Sequence, residues 1–254
     1  MLKFEGLLET YIAFAPRFFA SFRMAMPVWL REKLFHKNLL CDKLKAIGGA
    51  HDWATRLLFS VHHLAHAASA FYASPFEEAA ILTMDGVGAW ATTSVAMGRG
   101  CDLAITKEIH FPHSRGLLYS AFTSYTGFKV TAGEYKVMGL ARYGEPRFVQ
   151  TILDNLIDVK DDGSFRLNME HFDYASGLRM TNGTFHALFG GPPRKPEQWM
   201  EQRKMDLAAS IQATLEHFVL KPTRAAAAET GASALRLGGD VALNCVANGR
   251  MVRD

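Results

Sequence analysis

The stretch SVHHLAHAASAF, residues 60–71, places three of the chain's ten histidines within five positions. His62 and His66 are four apart. On a helix that spacing puts both on one face, with Cβ atoms about 5–6 Å apart, so both imidazoles can reach one cation. Ala65, Ala67, Ala68 and Ser69 leave room around them, while His63 points elsewhere and reads as a structural neighbour. A metal needs a third ligand, often a carboxylate. Asp85 is the candidate, because it ends the strand-like run AAILTMDG and sites gather at such strand ends. The same spacing also suits exposed or hydrogen-bonded histidines that hold no metal. A zinc protease needs a glutamate directly after its first histidine as general base; here that position is His63, followed by Leu64 and Ala65.

Three further segments could bind a nucleotide. Asp85, Gly86, Val87 and Gly88 form an acid-and-glycine turn whose backbone N–H groups suit phosphates bridged by a cation, although Asp-Gly turns commonly just close hairpins. Gly238 and Gly239 stand where a strand runs toward a helix, and a helix N-terminus attracts anions; such glycines also simply relieve backbone strain. Glu134 and Lys136, in GEYK, suit ribose and phosphate, or equally a solvated salt-linked loop.

The elements that must position these groups follow from patterning. Residues 60–72 read as a helix with Ser60 as N-cap, stopped by Pro75. Strands are expected at 79–86, 92–98 and 103–111, joined by glycine turns too short for a crossover, so they form an antiparallel meander. Residues 114–128 have helical spacing, 133–146 read as a loop, and 147–157 as a helix. DDGSFRLNM reads as a turn and short strand, and 171–204 as irregular. A long amphipathic helix covers 205–230, a strand 234–240, and a helix starts within 242–250. Residues 1–50 read as helical and basic, with Pro16 and Pro27 as interruptions.

Bulk properties bound the function class. With 254 residues, 49% hydrophobic and 21% charged, the chain can bury a real core. The net charge of +3 is spread along the chain without a basic block, which speaks against nucleic acid as a partner. No run reaches the 18 or so apolar residues of a membrane span. YIAFAPRFFASFRMAMPVWL has the look of an interfacial helix, but helices packed on a core or partner domain are the plainer reading. Cys41, Cys101 and Cys245 form no paired framework, so a cytoplasmic setting is expected.

Taken together, HHLAHAASAFYASPFEEAAILTMDGVG, PHSRGLLYSAFTSYTGFKVTAGEYKVMGLARYGEP and VALNCVANGR resemble the NodU/CmcH-type carbamoyltransferases. The resemblance implies an α/β fold, part of an actin-like ATPase (ASKHA) domain, with a YrdC-like domain normally following. It implies that ATP and carbamoyl phosphate yield carbamoyl-adenylate, whose carbamoyl group passes to a hydroxyl of a sugar, antibiotic or other natural product. It implies a divalent metal, iron(II) or zinc (Fe2+ or Zn2+), on His62, His66 and Asp85. It places Asp85 to Gly88, Glu134, Lys136, Gly239 and Asn244 around the nucleotide, and leaves the catalytic residues unassigned.

The chain departs from that pattern at three positions. Asp240 stands where the family has glycine, Ala89 where it has glutamate, and Arg115 where it has leucine or a similar residue. A carboxylate at 240 would repel phosphates and its Cβ would crowd them. The resemblance also places a first strand and phosphate loop before residue 1, and a further metal aspartate and the YrdC-like domain after residue 254. The expectation is therefore an internal piece of a longer enzyme, with 1–50 a helical leading segment and 51–254 the metal- and nucleotide-binding core. A homodimer is among the expected assemblies, and residues 171–204 are the expected acceptor region. The alternatives are a truncated, inactive nucleotide- and metal-binding fragment, or a metal-dependent hydrolase.

Overall fold

The computed structural model describes residues 2–17, 19–48, 51–88 and 90–253. Ala89, one of the three departures, lies outside the described residues. The chain divides into two compact units, one of residues 1–61 with 175–178, the other of 62–174 with 179–254.

The first unit is helical. It contains α1 (Leu2–Phe14), α2 (Phe19–Val28), α3 (His36–Ile47) and α4 (Trp53–Arg56). Pro16 falls in the turn between α1 and α2, as expected. Pro27 does not interrupt: it lies inside α2, and a π-helical turn, Trp29–Lys33, follows directly. The Leu34 amide closes that wider turn on the Trp29 carbonyl at 3.0 Å. Asp52 caps α4 by accepting from the Ala54 amide at 3.1 Å. Ser60 donates to the Val61 carbonyl at 3.4 Å, which is not the capping bond expected of it.

The second unit carries α5 (His62–Tyr72), β1 (Glu78–Met84), β2 (Ala91–Arg99), β3 (Asp102–His110), α6 (Arg115–Tyr125), α7 (Glu134–Leu140), α8 (Val149–Asn155), β4 (Ile157–Val159), β5 (Phe165–Leu167), α9 (Gly183–Leu188), α10 (Gln202–Thr230), β6 (Leu235–Gly238) and α11 (Cys245–Arg253). The main sheet runs β3-β2-β1-β6. β1, β2 and β3 form the antiparallel meander. β6 adds to the free edge of β1 in parallel, with Thr83 opposite Gly238. The fold is thus mixed α/β with a mixed sheet.

β1 is buried on both faces, which is why it reads as a continuous apolar run. Ala79 and Ile81 pack with Ala67 and Phe71 of α5. Leu82 and Met84 turn the other way, into the large core built by α6, α9 and α10. Phe122, Phe185 and Phe189 cluster there, with ring centroids 4.8–5.3 Å apart. α10 is 29 residues long and contains Pro222. Arg115 is buried beside this core and pairs with no carboxylate among the described residues: its guanidinium donates to the Gly163 carbonyl at 2.7 Å and stacks over Phe165 at 4.2 Å. Burial pulls it down to about 9, so it stays charged at neutral pH.

Two readings of the sequence need correction. Residues 133–146 are not a loop, since α7 and a 3-10 turn at Ala141–Tyr143 occupy most of the stretch. Residues 171–204 are not wholly irregular, since Asn182 accepts from the Thr184 and Phe185 amides and so starts α9.

Candidate metal and nucleotide site

α5 and the end of β1 bring His62, His66 and Asp85 together. His62 Nε2 lies 2.7 Å from Asp85 Oδ2, and His66 Nε2 lies 3.0 Å from His62 Nε2 and 3.5 Å from the same carboxylate oxygen. One donor atom from each residue falls within 4.8 Å of the other two. The imidazoles cross nearly edge to face, with centroids 4.6 Å apart.

Asp85 is anchored from below. Its amide donates to Thr92 at 2.9 Å, and its Oδ1 accepts from the Gly86 amide at 2.8 Å, which leaves Oδ2 for the histidines. Burial pushes its carboxyl up. The hydrogen bonds from His62 and Gly86, with the imidazole charges, outweigh that and hold it below the ordinary carboxylate range. Its side chain is only 6% exposed, while those of His62 and His66 are 40% and 31% exposed. The cluster is therefore closed beneath and open above. Two imidazole nitrogens and a carboxylate oxygen converging with one open side fit a divalent cation that keeps a position for an exogenous ligand.

The surroundings hold this geometry. A Cβ on Gly88 would sit 2.8 Å from His63 Cδ2 and 2.9 Å from His62 Cδ2, so only glycine lets the 85–88 turn lie against α5. Ser114 donates to the carbonyls of Asp85 (3.1 Å) and Gly86 (2.6 Å) while accepting from the Leu117 amide at 3.0 Å. One side chain thus caps α6 and ties that helix to the metal-bearing turn. His63 is buried, its Nδ1 is 2.9 Å from Ser94 Oγ, and burial lowers its pKa. It is the neutral structural neighbour that the spacing implied.

The nucleotide candidates are distributed around this centre. In the 85–88 turn the Gly86 amide serves Asp85 and the Gly88 amide donates to Ala91 at 3.2 Å, so neither is free for a phosphate. Val87 is exposed. Gly239 has φ +87°, and a Cβ there would strike the Met84 carbonyl. The glycine is required, yet the pair does not open a helix: a 3-10 turn, Asp240–Leu243, intervenes before α11. Asn244 caps α11 by accepting from the Ala247 amide at 3.0 Å, and it also exchanges amide hydrogen bonds with Gln212 of α10. Gln212 in turn accepts from the Tyr119 hydroxyl at 3.0 Å. Glu134 accepts from Ser120 Oγ at 2.7 Å, from the Thr131 amide at 3.0 Å and from the Gly133 amide at 3.1 Å. Lys136 is exposed, with its ammonium 5.9 Å from the Tyr135 ring centroid. Glu134 and Asn244 thus both connect to α6, whereas Lys136 reaches outward.

Asp240 opens the 3-10 turn two residues past Gly238, the β6 residue that pairs with Thr83. Its carboxyl is pushed up by partial burial and then by the Asp85 carboxylate, with His66 and His62 pulling the other way.

A family model described as carbamoyltransferase N-terminus matches residues 2–254. The chain belongs to the carbamoyltransferase N-terminus family. It is 58% identical over its whole length to the uncharacterized protein sll1178 of a Synechocystis strain. It is 34% identical over 90% of its length to the nodulation protein NolNO of Sinorhizobium fredii, and 32% identical over 75% to NolO of Bradyrhizobium diazoefficiens. The chain spans 42%, 31% and 33% of the lengths of these relatives, respectively.

Sequence reasoning named Asn244 but missed Ser114 and the hydrogen-bond chain Tyr119–Gln212–Asn244 that holds it. Ser114 carries a local signal, a serine directly before a helical run. The other three come from separate elements, and no spacing links them.

Proposed function

We propose that this domain holds the metal and nucleotide for an O-carbamoyltransferase that makes carbamoyl-adenylate from ATP and carbamoyl phosphate and passes the carbamoyl group to a hydroxylated small molecule. Membership of the family supports carbamoyl transfer, and the convergence of His62, His66 and Asp85 carries the assignment of the site. On this reading the four-stranded sheet is part of an actin-like ATPase core, and the whole protein brings a YrdC-like domain to the reaction in the cytoplasm.

His62, His66 and Asp85 would hold an iron(II) or zinc ion, which supplies Lewis acidity toward the phosphate and the carbamoyl carbonyl. Asp85 stays ionised beneath it, and the missing side chain at Gly88 leaves room for the His62 imidazole. Ser114 fixes the turn so that the donor atoms are set before substrate arrives. Asn244 and Glu134, each tied to α6, and Lys136 on the outer side flank the nucleotide. In the transfer step the acceptor hydroxyl oxygen bonds to the carbamoyl carbon, the bond from that carbon to the adenylate phosphate oxygen breaks, AMP leaves with the electron pair, and the hydroxyl proton is released to solvent.

The test uses labelled carbamoyl phosphate with the whole protein, ATP and a panel of hydroxylated acceptors. Labelled carbamate ester and stoichiometric AMP are expected, both lost without ATP and in the His62→Ala/His66→Ala variant. Transfer that needs no ATP, or simple ester hydrolysis in its place, would contradict the proposal.

A further inference from the structure

We propose that a cleft of about 610 Å3 between α8, the β4–β5 hairpin and α10 is a second small-molecule site, built to take one anionic group, a carboxylate or a phosphate monoester, carried on a small apolar body. The cleft shares no residue with the cluster of His62, His66 and Asp85 or with the nucleotide candidates, so it does not depend on the carbamoyl-transfer reading.

Backbone contacts shape the cleft. α8 ends at Asn155, and β4 begins two residues later. The Asn168 amide donates to the Leu156 carbonyl at 2.9 Å, which holds the foot of the hairpin to the end of α8. At the other end the hairpin turns at Gly163, with φ +79°, and a Cβ there would be 2.6 Å from the Pro222 Cα, so the turn lies directly on α10. The hairpin is thus pinned to one helix at its foot and to the other at its tip, and all three elements bound the cleft. Its floor is apolar: Ile157, Leu167 and Phe218 belong to the core, and Leu153 is half-buried beside them. The volume lies within the range of small-molecule sites, roughly 300–1,000 Å3.

The rim carries donors that the chain itself does not use. The guanidinium of Arg166 is exposed and makes no hydrogen bond or ion pair among the described residues. Its cross-strand neighbour Asp158 takes Lys160 instead, at 2.7 Å. The other carboxylate of the rim, Asp154, accepts from Gln150 Nε2 at 2.6 Å. The His217 imidazole is exposed and has no hydrogen-bond partner among the described residues. Lys221 reaches only the exposed Asp161, at 3.5 Å. Each carboxylate of the rim thus already has a partner, whereas the donors of Arg166 and His217 are spare. A guanidinium fork matches the oxygens of a carboxylate or phosphate two at a time, and the Lys221 ammonium adds a second positive charge. An acidic group on Arg166, with its apolar remainder on the Ile157, Leu167 and Phe218 floor, satisfies both halves of the cleft.

Calorimetric titration of the metal-stripped chain with phenyl phosphate, benzoate, benzyl alcohol and inorganic phosphate tests this. The better of the two aromatic anions is expected to bind at least about tenfold more tightly than benzyl alcohol, which lacks the charge, and than inorganic phosphate, which lacks the apolar body. Tighter phenyl phosphate assigns a phosphate monoester as the head group, and tighter benzoate a carboxylate. Arg166→Gln should keep the native circular dichroism spectrum and weaken that binding at least about tenfold, with Lys221→Gln acting in the same direction. His62→Ala/His66→Ala should leave it unchanged. Equal affinity for charged and neutral probes, native affinity in Arg166→Gln, or no binding of either aromatic anion at millimolar concentration would overturn the proposal. Binding lost in His62→Ala/His66→Ala would overturn it too, because the anion would then sit at the metal cluster.

Discussion

Nε2 of His62 and Nε2 of His66 face each other at 3.0 Å, and the buried carboxylate of Asp85 sits 2.7 Å from the first and 3.5 Å from the second. Two side chains from one helix turn and one from a strand end thus address a single point. Gly88, packed under the imidazoles, and Ser114, bonded to the 85–86 carbonyls, hold that point in place.

Gly88→Ala should displace the imidazoles. The added Cβ would meet the His63 and His62 rings at 2.8 and 2.9 Å, well inside contact distance. Overpacking of this kind costs about 1–3 kcal/mol, and α5 must shift to relieve it. Titration of metal-stripped protein with Zn2+ should show affinity reduced at least about tenfold, against a modest loss in urea stability. Native affinity in a stably folded variant would show that the turn and helix are not coupled as described.

Ser114→Ala removes the α6 cap and both bonds to the 85–86 carbonyls at once. Loss of a cap together with unsatisfied buried acceptors should lower unfolding free energy by about 1–3 kcal/mol. Ser114→Thr keeps the hydroxyl and should recover part of it. Chemical denaturation of the three proteins side by side reads the effect directly.

His113 gives a pH signature away from the metal cluster. Its Nδ1 accepts from the Leu167 amide at 3.1 Å, and burial, helped by the charge of Arg166, holds its pKa below 6.5. The folded state therefore binds fewer protons than the unfolded state just below 6.5, and stability falls as pH drops through that window. Above it the group is neutral in both states and contributes no slope. His113→Asn can still accept from Leu167 but does not titrate. The stability difference between native protein and variant should shift against the native protein on going from pH 7.5 to pH 5.5; a pH-independent difference would contradict the assignment.

Some of this was legible in the sequence because it is local. Glycine turns too short for a crossover force β1, β2 and β3 into a meander, and a spacing of four selects His62 and His66. Asp85 follows from its place at a strand end. What was not legible depends on distance along the chain. β6 pairs with β1 about 150 residues away, and no local pattern in either strand announces that register. α7 was hidden by the glycines at 133, 139 and 144, whose punctuation resembles a loop although the helix between them is stabilised by Val137 packing into the core. The bonds of Glu134 to Ser120 and of Asn244 to Gln212 are likewise tertiary, and no periodicity announces them.

The metal content of the purified protein tests the central claim most directly. Native protein, stripped and reloaded with Zn2+ and then desalted, should retain one equivalent per chain, and the His62→Ala/His66→Ala variant, with an unchanged circular dichroism spectrum, should retain none. Equal zinc in both proteins would contradict the account.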